Sequence, residues 1–187
     1  MEAFLSVLTG IGVAAACGFR VFVPLLALGL AGRAQVLPLH DSFAMLATLP
    51  ALIALGTAAT LEVGAYYVPW LDNLLDVAAA PAAVIAGVLA SAAAITDLPP
   101  VLAWGIAIIG GGGAAGLLHG ATSLIRLKST AMTGGVANPA VSTGELVGAV
   151  VTSALALLLP VVCAVLLVVL LAGVVQQRMR RRTRTAS

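Results

Sequence analysis

Five apolar stretches, near residues 3–31, 43–65, 77–96, 101–118 and 143–175, take up most of this chain, and few charges interrupt them. A helix needs roughly 20 apolar residues to cross the roughly 30 Å hydrocarbon layer of a bilayer, and each stretch reaches or approaches that length. A soluble domain of this size has no interior large enough for them: 61% of the 187 residues are hydrophobic, only 9% are charged, and the mean hydropathy is +1.16. The charges fall between the runs or at the C-terminal end, as they do when lipid sorts residues by the cost of burying them. The pattern predicts an all-α polytopic transmembrane bundle of five or six spans.

Two of the runs are irregular. The first is interrupted by Gly18-Phe19-Arg20 and again at Pro24, so a broken first helix is expected. The last would be roughly 50 Å long as a straight helix, and Pro160 falls near its middle. It is either one kinked, tilted helix or a hairpin of two short segments, which leaves the span number open. The positive-inside rule fits the hairpin better, because Arg126 and Lys128 then lie on the same side as the basic tail, with Arg33 opposite. Asp41-Ser42 reads as the start of the second run, and Tyr66, Tyr67 and Trp70 as an interfacial belt at its end. The third run stops at Asp97-Leu98-Pro99-Pro100. Glycines at 105, 110–113, 116 and 120 mark the fourth as a close-packing face, which also suits homo-oligomer formation, or alternatively as a pore-lining segment.

The expected organisation is a single transmembrane domain, 1–176, with a weak two-half pattern (1–97 and 98–176), followed by a basic cytoplasmic tail, 177–187. Five of the nine basic residues are Arg178, Arg180, Arg181, Arg182 and Arg184, and without them the chain is slightly acidic. Such a tail is a cytoplasmic anchor at the cell membrane, attracted to anionic lipid; with no aromatic residue it does not read as a nucleic-acid binder. Cys17 and Cys163 lie in apolar runs as small hydrophobes, not as a disulfide pair. Met1-Glu2 lacks the positive start of a signal peptide, so the N-terminus is expected to be retained. No cofactor or metal is implied, since His40 and His119 have no second ligand at helical spacing, and no catalytic set is recognisable.

The informative residues are those that lipid should reject, because a central Arg, Lys or Asp costs about 2.5–3.5 kcal/mol. Arg20 is the sharpest, bracketed by Gly18 and Pro24. It either snorkels between two short segments or faces the interior to hold an anionic group. Glu62 is its natural internal partner. Asp72 and Asp76, one turn apart, are an acidic loop in which Asp72 caps the third helix, or a cation or proton site. From His119 to Glu145 the chain is at its most polar, with Arg126, Lys128, Asn138-Pro139 and an S-x-x-E pair, Ser142 and Glu145. That pair reads as a capping box, and the same helix start beside Lys128 and Arg126 also suits phosphate or carboxylate. Arg20, Glu62, Lys128, Asn138 and Glu145 are therefore the candidate substrate-binding residues, with Asp72, Asp76 and Arg126 secondary. Gly18, Pro24, Pro139 and Pro160 are the expected helix breaks.

Ala16-Cys17-Gly18-Phe19-Arg20-Val21-Phe22-Val23-Pro24-Leu25-Leu26, Leu61-Glu62 through Val68-Pro69-Trp70-Leu71-Asp72 with Asp76, and Lys128 with Asn138-Pro139 and Ser142 to Glu145 carry a resemblance over nearly the whole chain. It is to a family of uncharacterised bacterial multi-pass membrane proteins bearing a domain-of-unknown-function label. The chain departs from that pattern at Thr133 to Ala140, where a more Ser-Pro-rich run is expected. The resemblance implies no activity. The residues themselves are expected to serve a small transporter or lipid-handling permease, with an anionic solute or lipid head group as partner. The alternatives are a structural or assembly protein of the membrane and an intramembrane lipid-modifying enzyme.

Overall fold

The computed structural model describes the backbone of residues 1–67 and 69–184, and the side chains of residues 1–67, 78–170, 172 and 173. The described residues are all-helical, with eight α-helices: α1 (Glu2–Cys17), α2 (Phe22–Arg33), α3 (Leu49–Ala65), α4 (Pro69–Ala94), α5 (Pro100–Ile106), α6 (Gly113–Thr133), α7 (Asn138–Leu158) and α8 (Pro160–Arg184). A 3-10 segment, Asp41–Ala47, precedes α3, and a π-helical segment, Ala107–Gly112, joins α5 to α6.

The first apolar run breaks where glycine and proline place the break, with residues 18–21 outside both helices. Pro24 sits in the first turn of α2, where an amide would have no intrahelical acceptor, so it costs α2 no hydrogen bond. α1 and α2 form a hairpin. Gly12 of α1 packs on Ala156 of α7 while Arg20 reaches Ser142 at the start of α7, so α1 and α7 are antiparallel. α2 then returns along α7, and the loop after it brings His40 N–H to the Ala93 carbonyl at 2.9 Å. The tip of the hairpin, residues 18–21, faces the end of the bundle where α3 stops and α7 starts.

Three expectations change, and one left open is resolved. The second run is not one helix, because the 3-10 segment and α3 meet at 68°. The fourth continues to Thr133, so the polar stretch containing Arg126 and Lys128 is helical; Pro100–Thr133 forms 34 residues of continuous helix. The capping-box reading of Ser142 and Glu145 is wrong. Gly134 and Gly135, both at positive φ, make the turn, Pro139 supplies the first helical turn, and α7 begins at Asn138, which leaves Ser142 and Glu145 inside it. The last run is two helices. Cys163 Sγ lies 3.8 Å from the Thr152 carbonyl oxygen, whereas a straight helix would separate residues 11 apart by roughly 16 Å, so α8 folds back on α7 at Pro160.

Two helices among the described residues, Pro100–Thr133 and Asn138–Leu158, are long and apolar enough to cross a membrane, and a third counts if the bent pair before and through α3 is one span. Glu2–Cys17 and Phe22–Arg33 are shorter apolar helices, and Ala78–Ala94 and Pro160–Leu170 are the apolar parts of α4 and α8 that lie among the residues with described side chains. The breaks at Gly18 and Thr48 keep the first and second apolar runs from being single straight helices.

Small residues fill the core and large apolar ones cover the outside. Val13, Ala14, Ala15, Ala16, Ala90, Ala93 and Ala94 are buried, while Ile109 is 79% and Leu61 68% exposed. Backbones approach closely as a result: a Cβ at Gly111 would lie 2.5 Å from the Ser91 Cβ and 2.8 Å from the Gly87 carbonyl. The glycine-rich fourth run is thus a packing face against α4 at Gly111 and Gly112, while Gly113 meets nothing within 4 Å.

Candidate functional site

The tip of the α1–α2 hairpin meets α3, α6 and α7 in a cluster of buried charge. Arg20 is 2% exposed. Its Nη2 donates to the Ser142 carbonyl at 3.0 Å and to the Ser142 hydroxyl, and lies 3.5 Å from Oε2 of Glu145. Arg126, buried on α6, donates through its own Nη2 to the same Oε2 of Glu145. Both guanidiniums also lie over the ring of Tyr66, with Cζ 3.8 Å from the centroid for Arg20 and 4.4 Å for Arg126. An aromatic face attracts cations within about 6 Å, more strongly where water is excluded.

Helix periodicity explains how these groups converge. On α7, Ser142 and Glu145 are three residues apart and share a face. On α6, Leu118, Thr122 and Arg126 repeat every four and point inward. Close approach of the hairpin tip to α6 needs a residue without a side chain at position 18, where a Cβ would sit 2.5 Å from the Ala115 carbonyl oxygen and 2.6 Å from the Leu118 Cβ.

Glu62 takes a different role from the one expected. Its carboxylate accepts from Val21 N–H at 2.8 Å and from Phe22 N–H at 3.1 Å, so a side chain of α3 satisfies the otherwise unpaired amides at the start of α2. The positive end of the helix dipole offsets the Glu62 charge locally. Glu145 is left as the carboxylate shared between two guanidiniums. Arg20 Nε and Nη1, both buried, donate to nothing among the described residues.

Two hollows flank the cluster. One, about 360 Å³, is lined by Val21, Phe22, Ala58, Leu61, Glu62, Ala65, Tyr66, Ala78, Ala79 and Ala82, so its walls are apolar and its polar end is Glu62 with Tyr66. The other, about 270 Å³, is lined by Phe19, Thr122, Ile125, Val141, Gly144 and Glu145. Tyr66 and Glu145 each belong to the cluster and to one hollow.

The remaining candidates fall elsewhere. Lys128 is exposed two residues beyond Arg126 and lines neither of these two hollows. Asn138 exchanges hydrogen bonds with Thr130 across the α6–α7 turn, donating through Nδ2 at 3.1 Å and accepting through Oδ1 at 3.3 Å. The side chains of Asp72 and Asp76, like those of the tail arginines, lie outside the described residues. Tyr66 and Ser142 are cluster members that the sequence read only as part of an interfacial belt and of a capping pair. The available signal was spacing, because Tyr66 follows Glu62 by one helical turn and Ser142 precedes Glu145 by nearly one.

These features define an all-helical bundle with apolar outer faces and a buried Arg-Glu-Arg cluster at the tip of a broken helix. The chain belongs to the family described as Domain of unknown function (DUF4126), which matches residues 7–179. No curated protein and no solved structure matches it.

Proposed function

We propose that this chain is embedded in the cell membrane and works as a small transporter or lipid-handling permease, holding an anionic solute or lipid head group at the Arg20 cluster. Membrane embedding is supported by the arrangement of small residues inside and exposed Val, Leu and Ile outside, together with two helices of spanning length. Arg126, Lys128 and the C-terminal part of α8 gather at one end of the bundle, with Arg33 at the other. By the positive-inside rule the first end is cytoplasmic.

The observation that carries the site reading is Arg20 itself. A guanidinium has five N–H donors, and a buried one without acceptors is costly. Arg20 is almost wholly buried, yet its Nε and Nη1 have no acceptor among the described residues. With Glu62 bonded to the α2 amides, the Glu145 carboxylate is shared by the Arg20 and Arg126 guanidiniums. Planar donors of this kind suit carboxylate or phosphate. Discontinuous helices at such a site are a recurring way to build substrate sites in membrane transporters.

Flux measured in vesicles reconstituted with the full chain tests the reading. Arg20→Ala abolishes uptake of an anionic solute or lipid while the protein still inserts, and Arg20→Lys, which keeps the charge and loses the fork, also impairs it. Unchanged flux in Arg20→Ala, across a broad panel of solutes and lipids, overturns the reading.

A structural role is the second reading, favoured by the ion pair between Arg20 and Glu145 at 3.5 Å and by the close helix contacts at Gly18 and Gly111. Under it, the cluster locks the bundle and holds no ligand. Charge-neutral replacement of Arg20, Arg126 and Glu145 together then leaves every cellular phenotype intact, provided the bundle still forms.

A further inference from the structure

We propose that the ligand is a single-chain amphiphilic anion, whose tail lies in the 360 Å³ hollow between α2, α3 and α4 and whose head group reaches Nε and Nη1 of Arg20 when the Tyr66 ring swings aside. This deepens the anion-site reading above and rests on it. The hollow has the size of a small-molecule site, roughly 300–1,000 Å³. Among the described residues its walls are Ala58, Leu61, Ala65, Ala78, Ala79 and Ala82, and its polar groups lie at the Glu62–Tyr66 end. A fully hydrophilic ion gains nothing from such walls, whereas an alkyl chain finds an apolar lining along its length.

The polar end leads to Arg20. Val21 lines the hollow and is covalently next to Arg20, and the Tyr66 ring that closes the hollow lies 3.8 Å from the Arg20 Cζ. Tyr66 thus lies between an apolar chamber and a buried cation whose Nε and Nη1 have no acceptor among the described residues. Its ring faces both the Arg20 and Arg126 guanidiniums, while the Ser142 bonds hold Nη2 of Arg20 in place. An anionic oxygen taking the place of the ring supplies the missing acceptors and leaves the Ser142 bonds intact. A fatty carboxylate and an alkyl phosphate monoester both meet this description, and their shared chemistry is a planar or tetrahedral oxyanion on an alkyl chain.

The test uses the full chain in nanodiscs of phosphatidylcholine, with four labelled probes at equilibrium: dodecanoate, dodecyl phosphate, acetate and inorganic phosphate. At least one twelve-carbon probe binds saturably and at least tenfold more tightly than its tailless counterpart, and the better of the two identifies the head group. Ala79→Trp, which fills the hollow, and Arg20→Gln, which removes the charge, each weaken that probe by at least tenfold. Two further variants, Ala82→Phe and Tyr66→Ala, guard against misfolding at either position: the first weakens the long probe, and the second, by removing the ring, tightens it or leaves it unchanged. If acetate or phosphate binds as well as its long-chain counterpart, and Ala79→Trp and Ala82→Phe have no effect while Arg20→Gln abolishes binding, the amphiphile inference fails and the anion site stands. If no probe binds saturably, or Arg20→Gln binds like the parent, both fail.

Discussion

Arg20, in the turn between α1 and α2, and Glu145, on α7, approach to 3.5 Å through Nη2 and Oε2, and that same carboxylate oxygen also accepts from Arg126. The pairing ties the tip of a helical hairpin to two long helices and puts one negative charge between two positive ones. Removing any one of the three therefore unbalances the other two.

The first prediction concerns that imbalance. Glu145→Leu leaves two buried guanidiniums without their shared carboxylate and destabilises the bundle by about 3–5 kcal/mol, as expected for breaking a buried pair from one side. Combined with Arg126→Met, the loss is smaller than the sum of the single losses, with a coupling of about 0.5–3 kcal/mol. Reversible unfolding in detergent measures both. Additive losses would show that Arg126 and Glu145 do not act as a pair.

Glu62 offers a local readout. Glu62→Leu removes both acceptors from the Val21 and Phe22 amides, loosening the start of α2 at a cost of about 1–2 kcal/mol, while Glu62→Gln keeps one acceptor and costs less. Hydrogen exchange at Val21 and Phe22 accelerates in the Leu variant and much less at the far end of α2. Unchanged exchange at these two amides refutes the cap.

Gly18 and Gly113 predict opposite outcomes for the same substitution. Gly18→Ala places a Cβ against the Ala115 carbonyl and lowers stability by about 1–3 kcal/mol. Gly113→Ala enters open space on a helix, so it is neutral or gains up to about 1 kcal/mol from helix propensity. Thermal unfolding of the two variants side by side distinguishes a packing constraint from a general intolerance of alanine.

Lys128 separates the cluster from mere positive charge. Because it is exposed and lines neither hollow, Lys128→Ala changes stability by less than about 0.5 kcal/mol and leaves flux at the parent level, unlike Arg20→Ala. Loss of flux in Lys128→Ala would extend the site beyond the buried cluster.

Placement of the two ends can be read with impermeant thiol reagents on Cys17 and Cys163 double-serine backgrounds, since both native thiols are buried. Cysteine at Arg33 and cysteine at Lys128 are labelled from opposite sides of the membrane. Labelling of both from one side contradicts the arrangement of α2 and α6 at opposite ends of the bundle.

Much of the fold was legible in the residues. Gly18 and Pro24 marked the first break, Pro99-Pro100 the turn before α5, and Pro160 one of two alternatives, of which the hairpin is the one observed. Where the reading stopped short, local signals pointed to more than one structure. Ser142-x-x-Glu145 is a capping pattern in sequence, but Gly134-Gly135 and Asn138-Pro139 begin the helix a turn earlier. The fourth apolar run ends near residue 118 in the sequence, short of Thr133, because hydropathy averages over all faces of a helix. The buried side of α6 there carries Thr122 and Arg126, which another helix can satisfy and lipid cannot.

From its sequence alone this chain is determined to be helical, apolar on the outside and obliged to find partners for a few misplaced charges, because hydrophobic burial and the cost of an unpaired ion act on residue types wherever they fall. Which charges meet was decided only in three dimensions. Glu62 was the expected internal partner of Arg20, yet folding bonds Arg20 to Ser142 and Glu145 and gives the Glu62 carboxylate to the α2 amides. The physical reason is that an ion pair depends on ångström distances between elements far apart in the chain. Those distances come from helix packing at residues such as Gly18, and no local pattern encodes them.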